Sequence, residues 1–214
     1  MIKILSTLAS KGDENTLKFS IANTKGQAVN YTILNKLRRI MMSEIETIAF
    51  DVIQIEKNTS CLANEILVHR LGLFPVICPE LNDLNYAAKC GCNGYCENCS
   101  VKFEIHKKGR KGCMTDVTSR DFKCIGGNAK LMDEEIILTR LLQDQEVKIV
   151  AFATKGIGRT HAKWSPTAIA VYSAVDKKET NFVFTIESIG NIPPRDILET
   201  ALKKLRLNPT IVEN

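Results

Sequence analysis

The chain has 214 residues, 44% hydrophobic and 25% charged, with a net charge of +5 and eight cysteines. That is enough apolar material for one large domain or two small ones, and the mild basicity falls short of a dedicated nucleic-acid binder. The best membrane-span candidate, Ile66 to Cys78, is broken by His69, Arg70 and Gly72, so no membrane contact is expected.

Met1 to Ala9 carries a short apolar stretch broken by Lys3, Ser6 and Thr7, so no secretory leader is expected and the cysteines should stay reduced. Leu17, Phe19 and Ile21 alternate with polar residues, the period of a half-buried strand. From Asn30 to Ser43 the apolar residues Ile33, Leu34, Leu37, Ile40 and Met41 recur at helical spacing, with Arg38 and Arg39 on another face. Asn30 is placed to cap this helix and Val29 to pack on Leu34 as a hydrophobic staple. Ile48, Phe50 and Val52 alternate before Ile53 and Ile55 take over, a phase slip that predicts a bulge or a crossing between sheets. Ala63 to Leu71 reads as a short helix stopped by Gly72 and Pro75.

Cys90, Cys92, Cys96 and Cys99 follow as C-x-C-x3-C-x2-C, with Gly91, Asn93, Gly94 and Asn98 between them to permit tight turns. The leading reading is a closed tetrahedral zinc site. Two disulfides, an iron-sulfur cluster and a metal-free loop are the alternatives; disulfides need an oxidising compartment, and the familiar cluster spacings differ from this one. Four protein ligands leave the ion no open position, so its role would be to order a loop that buries little apolar area. Cys61, Cys78, Cys113 and Cys124 are dispersed and read as small core hydrophobes.

Val101, Phe103 and Ile105 mark a strand that ends in the basic turn Lys107 to Gly112, read as a solvated hairpin tip. Further strand-like runs lie at Ile136 to Leu142, Val147 to Ala153 and Thr167 to Val171. After the polar stretch Asp176 to Asn181, Phe182, Phe184 and Ile186 alternate. Pro193 and Pro194 then open a helix with Ile197, Leu198, Ala201, Leu202 and Leu205 on one stripe. Strand-then-helix units thus bracket a β-rich insertion. There is no phosphate-cradling glycine loop, nucleophile elbow or carboxylate triplet, and His69 and His161 read as packing or hydrogen-bonding residues, so no catalysis is expected.

Asn35 to Glu44, Asn58-Thr59-Ser60 and His69 to Pro75, with Lys155 to Pro166 and Glu187-Ser188-Ile189-Gly190, together resemble the assembly subunit of multisubunit RNA polymerases. That family comprises the bacterial alpha subunit, its archaeal D-type counterpart and the third subunit of RNA polymerase II. Cys90 to Cys99 sits where its eukaryotic-type members carry a zinc loop. The resemblance implies an α+β chain with a discontinuous dimerisation domain, residues 1–51 and 175–214, interrupted by a β-rich insert at 52–174. It implies a non-catalytic scaffold that pairs with a smaller subunit, of the eleventh-subunit or L type, and then recruits the largest, second-largest and small assembly subunits. DNA would be met only through the complex, in the nucleus of a eukaryote or the cytoplasm of an archaeon or virus-infected cell. Members commonly have Ala where this chain has Lys36, so that position must accept a long, snorkelling side chain.

One small sheet is expected to leave part of both apolar stripes bare. The partner would then bind Ile33, Leu34, Leu37, Ile40 and Met41, flanked by Arg38 and Arg39, and Ile197, Leu198, Ala201, Leu202 and Leu205. Two rivals are weaker. A free-standing zinc-knuckle protein would bind nucleic acid through the loop and the Lys107 to Lys111 turn, but a strand follows the cysteines where such modules place a basic helix. An enzyme using Cys113 or Cys124 has only a lone thiol in support.

Overall fold

The computed structural model describes residues 3–9, 14–22, 30–92, 95–175 and 181–206. The staple expected at Val29, loop residues Asn93 and Gly94, and the polar stretch 176–180 lie outside them. In chain order the elements begin with β1 (Lys3–Ala9), β2 (Thr16–Ala22), α1 (Tyr31–Ser43), β3 (Glu46–Asn58) and α2 (Asn64–Gly72). Next come β4 (Val76–Ile77), β5 (Ser100–Lys108), β6 (Thr115–Thr118), β7 (Lys123–Ile125), β8 (Lys130–Leu131) and β9 (Ile137–Leu141). β10 (Glu146–Ile157), β11 (Thr167–Ala174), β12 (Asn181–Ser188) and α3 (Pro194–Arg206) complete an α+β chain. Its contacts divide into two units, Met1–Glu46 with Ile157–Asn214, and Thr47–Gly156.

The first unit is a four-stranded antiparallel sheet in the order β1-β2-β12-β11. Strand alternation sends Leu17, Phe19, Ile21, Phe182, Phe184 and Ile186 to one face, and α1 and α3 pack there. Phe19 lies opposite Phe184 with the rings stacked at 5.2 Å. Asn30 caps α1 as expected, its Oδ1 accepting from the Ile33 N–H at 3.0 Å. The helix stripes, however, are not bare. Leu34, Leu37, Ile40, Met41, Ile197, Leu198, Ala201 and Leu205 are all buried in this unit's own core, and only Ile33 and Leu202 stay half-buried. The reason is that two helices share one sheet face and also cover each other, each buried Leu, Ile or Met side chain contributing roughly 1.5–3 kcal/mol.

β11 pairs antiparallel with β12, so by contacts it groups with the first unit, and the contact division falls at 46/47 and 156/157, beside the 51/52 and 174/175 expected from the sequence. Just past the second boundary the backbone comes very close to α1: a Cβ on Gly158 would lie 2.3 Å from the Met42 carbonyl oxygen. The Arg159 N–H donates to the Ser43 carbonyl at 2.8 Å beside it.

The second unit holds a sheet in the order β3-β10-β5-β7 and the small pairs β4-β8 and β6-β9. Its core gathers Phe50, Leu67, Leu71, Phe103, Val117, Leu138, Leu141 and Ile149, with Phe50 edge-on to Phe103 at 5.1 Å. At the phase slip near Val52 β3 continues as one strand, with Thr47 to Phe50 buried consecutively, the later residues alternating between exposed and half-buried, and Ile53 and Ile55 packed against the core. Cys78 and Cys124 pack partly against the core as expected, whereas Cys61 and Cys113 are exposed, in the turn before α2 and the loop before β6.

Charge also ties this sheet together. The Glu146 carboxylate accepts from Lys57 Nζ at 2.7 Å, lies 2.6 Å from His106 Nε2 and 3.8 Å from Lys108 Nζ, linking β10 to β3 and β5. The hydrogen bonds from Lys57 and then His106 hold its pKa at about 2, below the ordinary 4.5. A depressed carboxylate stabilises the fold fully above its unfolded value and ceases to do so as the pH falls through its folded value. Glu146→Gln should therefore lower the thermal midpoint at neutral pH and flatten its fall between about pH 4.5 and pH 2, read by circular dichroism melts across that range. Separately, a Cβ on Gly109 would sit 1.8 Å from the Leu142 carbonyl oxygen, a backbone atom that cannot step aside. Gly109→Ala should cost about 1–3 kcal/mol or more in urea unfolding.

Candidate metal centre and helical surface

The cysteine loop lies between a short 3-10 turn at Ala87–Lys89 and the start of β5. Backbone bonds set its end: the Cys99 and Ser100 N–H groups both donate to the Cys96 carbonyl, at 3.0 and 2.9 Å, and the Asn85 N–H donates to the Asn98 carbonyl at 2.8 Å. Tyr95 stacks on Phe152 of β10 at 5.4 Å, anchoring the loop's middle. These constraints bring four Sγ atoms together, all within 4.8 Å of one another. Cys90 lies 3.6 Å from Cys96, and Cys92 and Cys96 each lie 3.7 Å from Cys99.

A tetrahedron of sulfurs around one ion at about 2.3 Å has edges of about 3.8 Å, so this arrangement has the dimensions of a mononuclear thiolate site. A multi-iron cluster would hold the sulfurs farther apart, and all four cysteines are free rather than disulfide-bonded. Burial first, and then hydrogen bonds among the neighbouring thiols, pushes the Cys99 thiol up to about 12. Four thiolates can therefore crowd here only when a cation compensates them, and binding the ion releases protons. The donor set suits a borderline-soft divalent metal.

The outer surface of α1 carries Tyr31, Arg38 and Arg39. Arg38 is held in place, its Nε and Nη2 donating to Asn35 Oδ1 at 3.3 and 3.2 Å while Nη1 lies 3.3 Å from Met42 Sδ. His69 is exposed on α2, beside Ile53 and Ile55, and His161 Nδ1 accepts from the Lys163 N–H at 3.1 Å and caps the turn Ala162–Trp164. In the basic turn, Lys107 is paired with Asp121 at 2.5 Å and Lys108 leans toward Glu146. Two features escape sequence reasoning: the Glu146 cluster, assembled across strands far apart in sequence, and Arg159, which the 158–159 backbone brings beside the end of α1. Among the described residues, no helix is long and apolar enough to cross a membrane.

Residues 53–174, more than half of the chain, match the RNA polymerase Rpb3/RpoA insert domain. The chain is 33% identical over 179 residues to DNA-directed RNA polymerase II subunit rpb3 of Dictyostelium discoideum, covering 78% of this chain and 56% of that one. It is 35% identical over 172 residues to subunit 3 of RNA polymerases II, IV and V of Arabidopsis thaliana, covering 73% and 54%. Against RNA polymerase subunit Rpo3 of Methanocaldococcus jannaschii it is 34% identical over 172 residues, covering 80% and 78%. The matched region is thus little more than half the length of these eukaryotic relatives.

The thiol geometry makes a direct prediction. Chain purified without chelator should carry stoichiometric metal by plasma mass spectrometry, and Cys99→Ser should lose most of it. Strong chelation should cut the proteolytic resistance of residues 85–100 while leaving the far-ultraviolet spectrum largely unchanged.

Proposed function

Because the chain belongs to the RNA polymerase Rpb3/RpoA family, we propose that it is a non-catalytic assembly subunit of a multisubunit DNA-directed RNA polymerase. The observation that carries this reading is the insert-domain match over 53–174, set in sequence between the halves of a strand-helix unit. The helix-bearing unit pairs with a smaller alpha-like subunit of the eleventh-subunit or L type, and the pair then gathers the second-largest, largest and small assembly subunits. DNA is reached only through that complex. The chain works inside the cell, in the nucleus of a eukaryote or in the cytoplasm of an archaeon or virus-infected cell. One structural Zn2+ on Cys90, Cys92, Cys96 and Cys99 orders the insert's loop.

Burial divides the proposed contact residues into two groups. Ile33, Arg38, Arg39 and Leu202 have surface left to offer a partner, while Leu34, Leu37, Ile40, Met41, Ile197, Leu198, Ala201 and Leu205 fix the helices from beneath. The free-standing nucleic-acid reading is not favoured: a strand follows the cysteines, and Lys102, Lys107 and Lys108 all lie within ion-pair reach of carboxylates.

Co-expression with a smaller alpha-like subunit tests the reading. The tagged chain should capture it, and the double variant Ile33→Glu with Leu202→Glu should reduce capture at least about tenfold while keeping its metal and its melting transition. Full capture by that variant would remove the helix surface from the interface. Native purification that yields no large polymerase chains would remove the assembly role itself.

A further inference from the structure

Between Cys90 and Cys99 the only aromatic residue is Tyr95, and its cover comes from outside the loop. It stacks on Phe152 of β10 with the ring centroids 5.4 Å apart and the planes 26° from parallel. Phe152 lies outside the second unit's core: alternation along β10 sends Ile149, Ala151 and Ala153 into that core and turns Phe152 to the other face of the sheet, where it is half-buried. A large ring on a solvent-facing strand position is thus matched to one loop side chain.

The residue pinned by this stack adjoins the central thiol. Cys96 follows Tyr95 directly, and its Sγ lies 3.6 Å from that of Cys90 and 3.7 Å from that of Cys99. Strand pairing holds Cys96 from the other direction. Its carbonyl accepts from the Cys99 N–H, the Ser100 N–H and Ser100 Oγ, at 3.0, 2.9 and 3.1 Å, and Ser100 lies opposite Thr154 in the pairing of β5 with β10. One strand therefore fixes Cys96 from both sides, through Phe152 and through Thr154.

We infer that Tyr95 and Phe152 are positioning residues for the metal: their stack holds Cys96 near its ligating place, which raises the affinity for the ion and slows its release. This rests on the reading of the four cysteines as a metal site and adds what tunes that site. Apart from Tyr95 and the cysteines, the loop consists of Gly, Asn and Glu, so ordering it has little apolar burial to offset the lost backbone freedom, and the ion must otherwise bear that cost. A ring pair outside the coordination sphere lowers the cost without supplying a ligand. The ring faces make the contact, so phenylalanine serves as well as tyrosine at position 95.

The test uses the full chain with Zn2+, its affinity and release rate read by competition with a chromophoric chelator. Tyr95→Ala and Phe152→Ala should each weaken binding about tenfold or more and speed release, while Tyr95→Phe stays within about twofold of wild type. The double variant should lose little beyond either single one, because both remove the same contact. The melting transition of the metal-free chain should not move, and the Co2+-loaded variants should keep the absorption bands of four-thiolate coordination. Binding by Tyr95→Ala within about twofold of wild type overturns the inference. So do losses that multiply in the double variant, a Tyr95→Phe as weak as Tyr95→Ala, altered Co2+ bands, or a fall in metal-free melting that accompanies the loss of affinity. Should Phe152→Ala fail to fold, Tyr95→Ala and Tyr95→Phe decide the matter between them. If wild type binds no metal, the metal-site reading falls and takes this role with it; if wild type binds tightly and Tyr95 is indifferent, only the positioning role falls.

Discussion

The pairing of β2 with β12 is the contact from which the rest of the first unit follows. It sets Phe19 against Phe184 and Ile21 against Phe182, so residues from opposite ends of the chain share one apolar face. α1 and α3 need that face, because neither helix of thirteen residues is stable alone in water and each must bury its stripe. With both ends committed to one sheet, everything from Thr47 to Gly156 is free to form its own core, and it does so around Phe50 and Phe103.

Side-chain burial holds both units, and in the second a loop beside the sheet adds a cluster of thiols whose spacing suits a single ion. That loop has little apolar surface of its own. Its backbone is held by the paired N–H bonds to the Cys96 carbonyl and by the Tyr95–Phe152 stack, which act alongside the thiol cluster. Glu146 plays a comparable organising part in the sheet, with electrostatics replacing coordination.

Local features are legible in the sequence. The cap at Asn30, the alternation of Val101, Phe103 and Ile105, and the four-cysteine spacing each depend on neighbours a few residues away, and each appears where the pattern places it. What covers an apolar stripe is not legible. The spacing of Leu34, Leu37, Ile40 and Met41 reports that one side of α1 avoids water, but says nothing of whether its cover is the chain's own sheet or another molecule. The strand at Thr167–Ala174 is visible, yet its allegiance to β12 is a long-range pairing that alternation cannot encode. Cys61 and Cys113 show the converse limit, since an apolar-looking residue type is exposed where a turn and a loop carry it. Lys36 departs from its expected behaviour because Nζ is enclosed instead of reaching water.

The split sheet also puts a clock on biogenesis. During translation β2 and α1 emerge early, but their covering strands and α3 are not made until the whole intervening unit has left the ribosome, a wait on the order of ten seconds at ordinary elongation rates. Throughout that interval the apolar stripe of α1 lacks most of its cover, while the residues of the Thr47–Gly156 unit are already complete. A message cut short before β12 would yield a product whose middle unit is complete and whose α1 stripe lacks its cover.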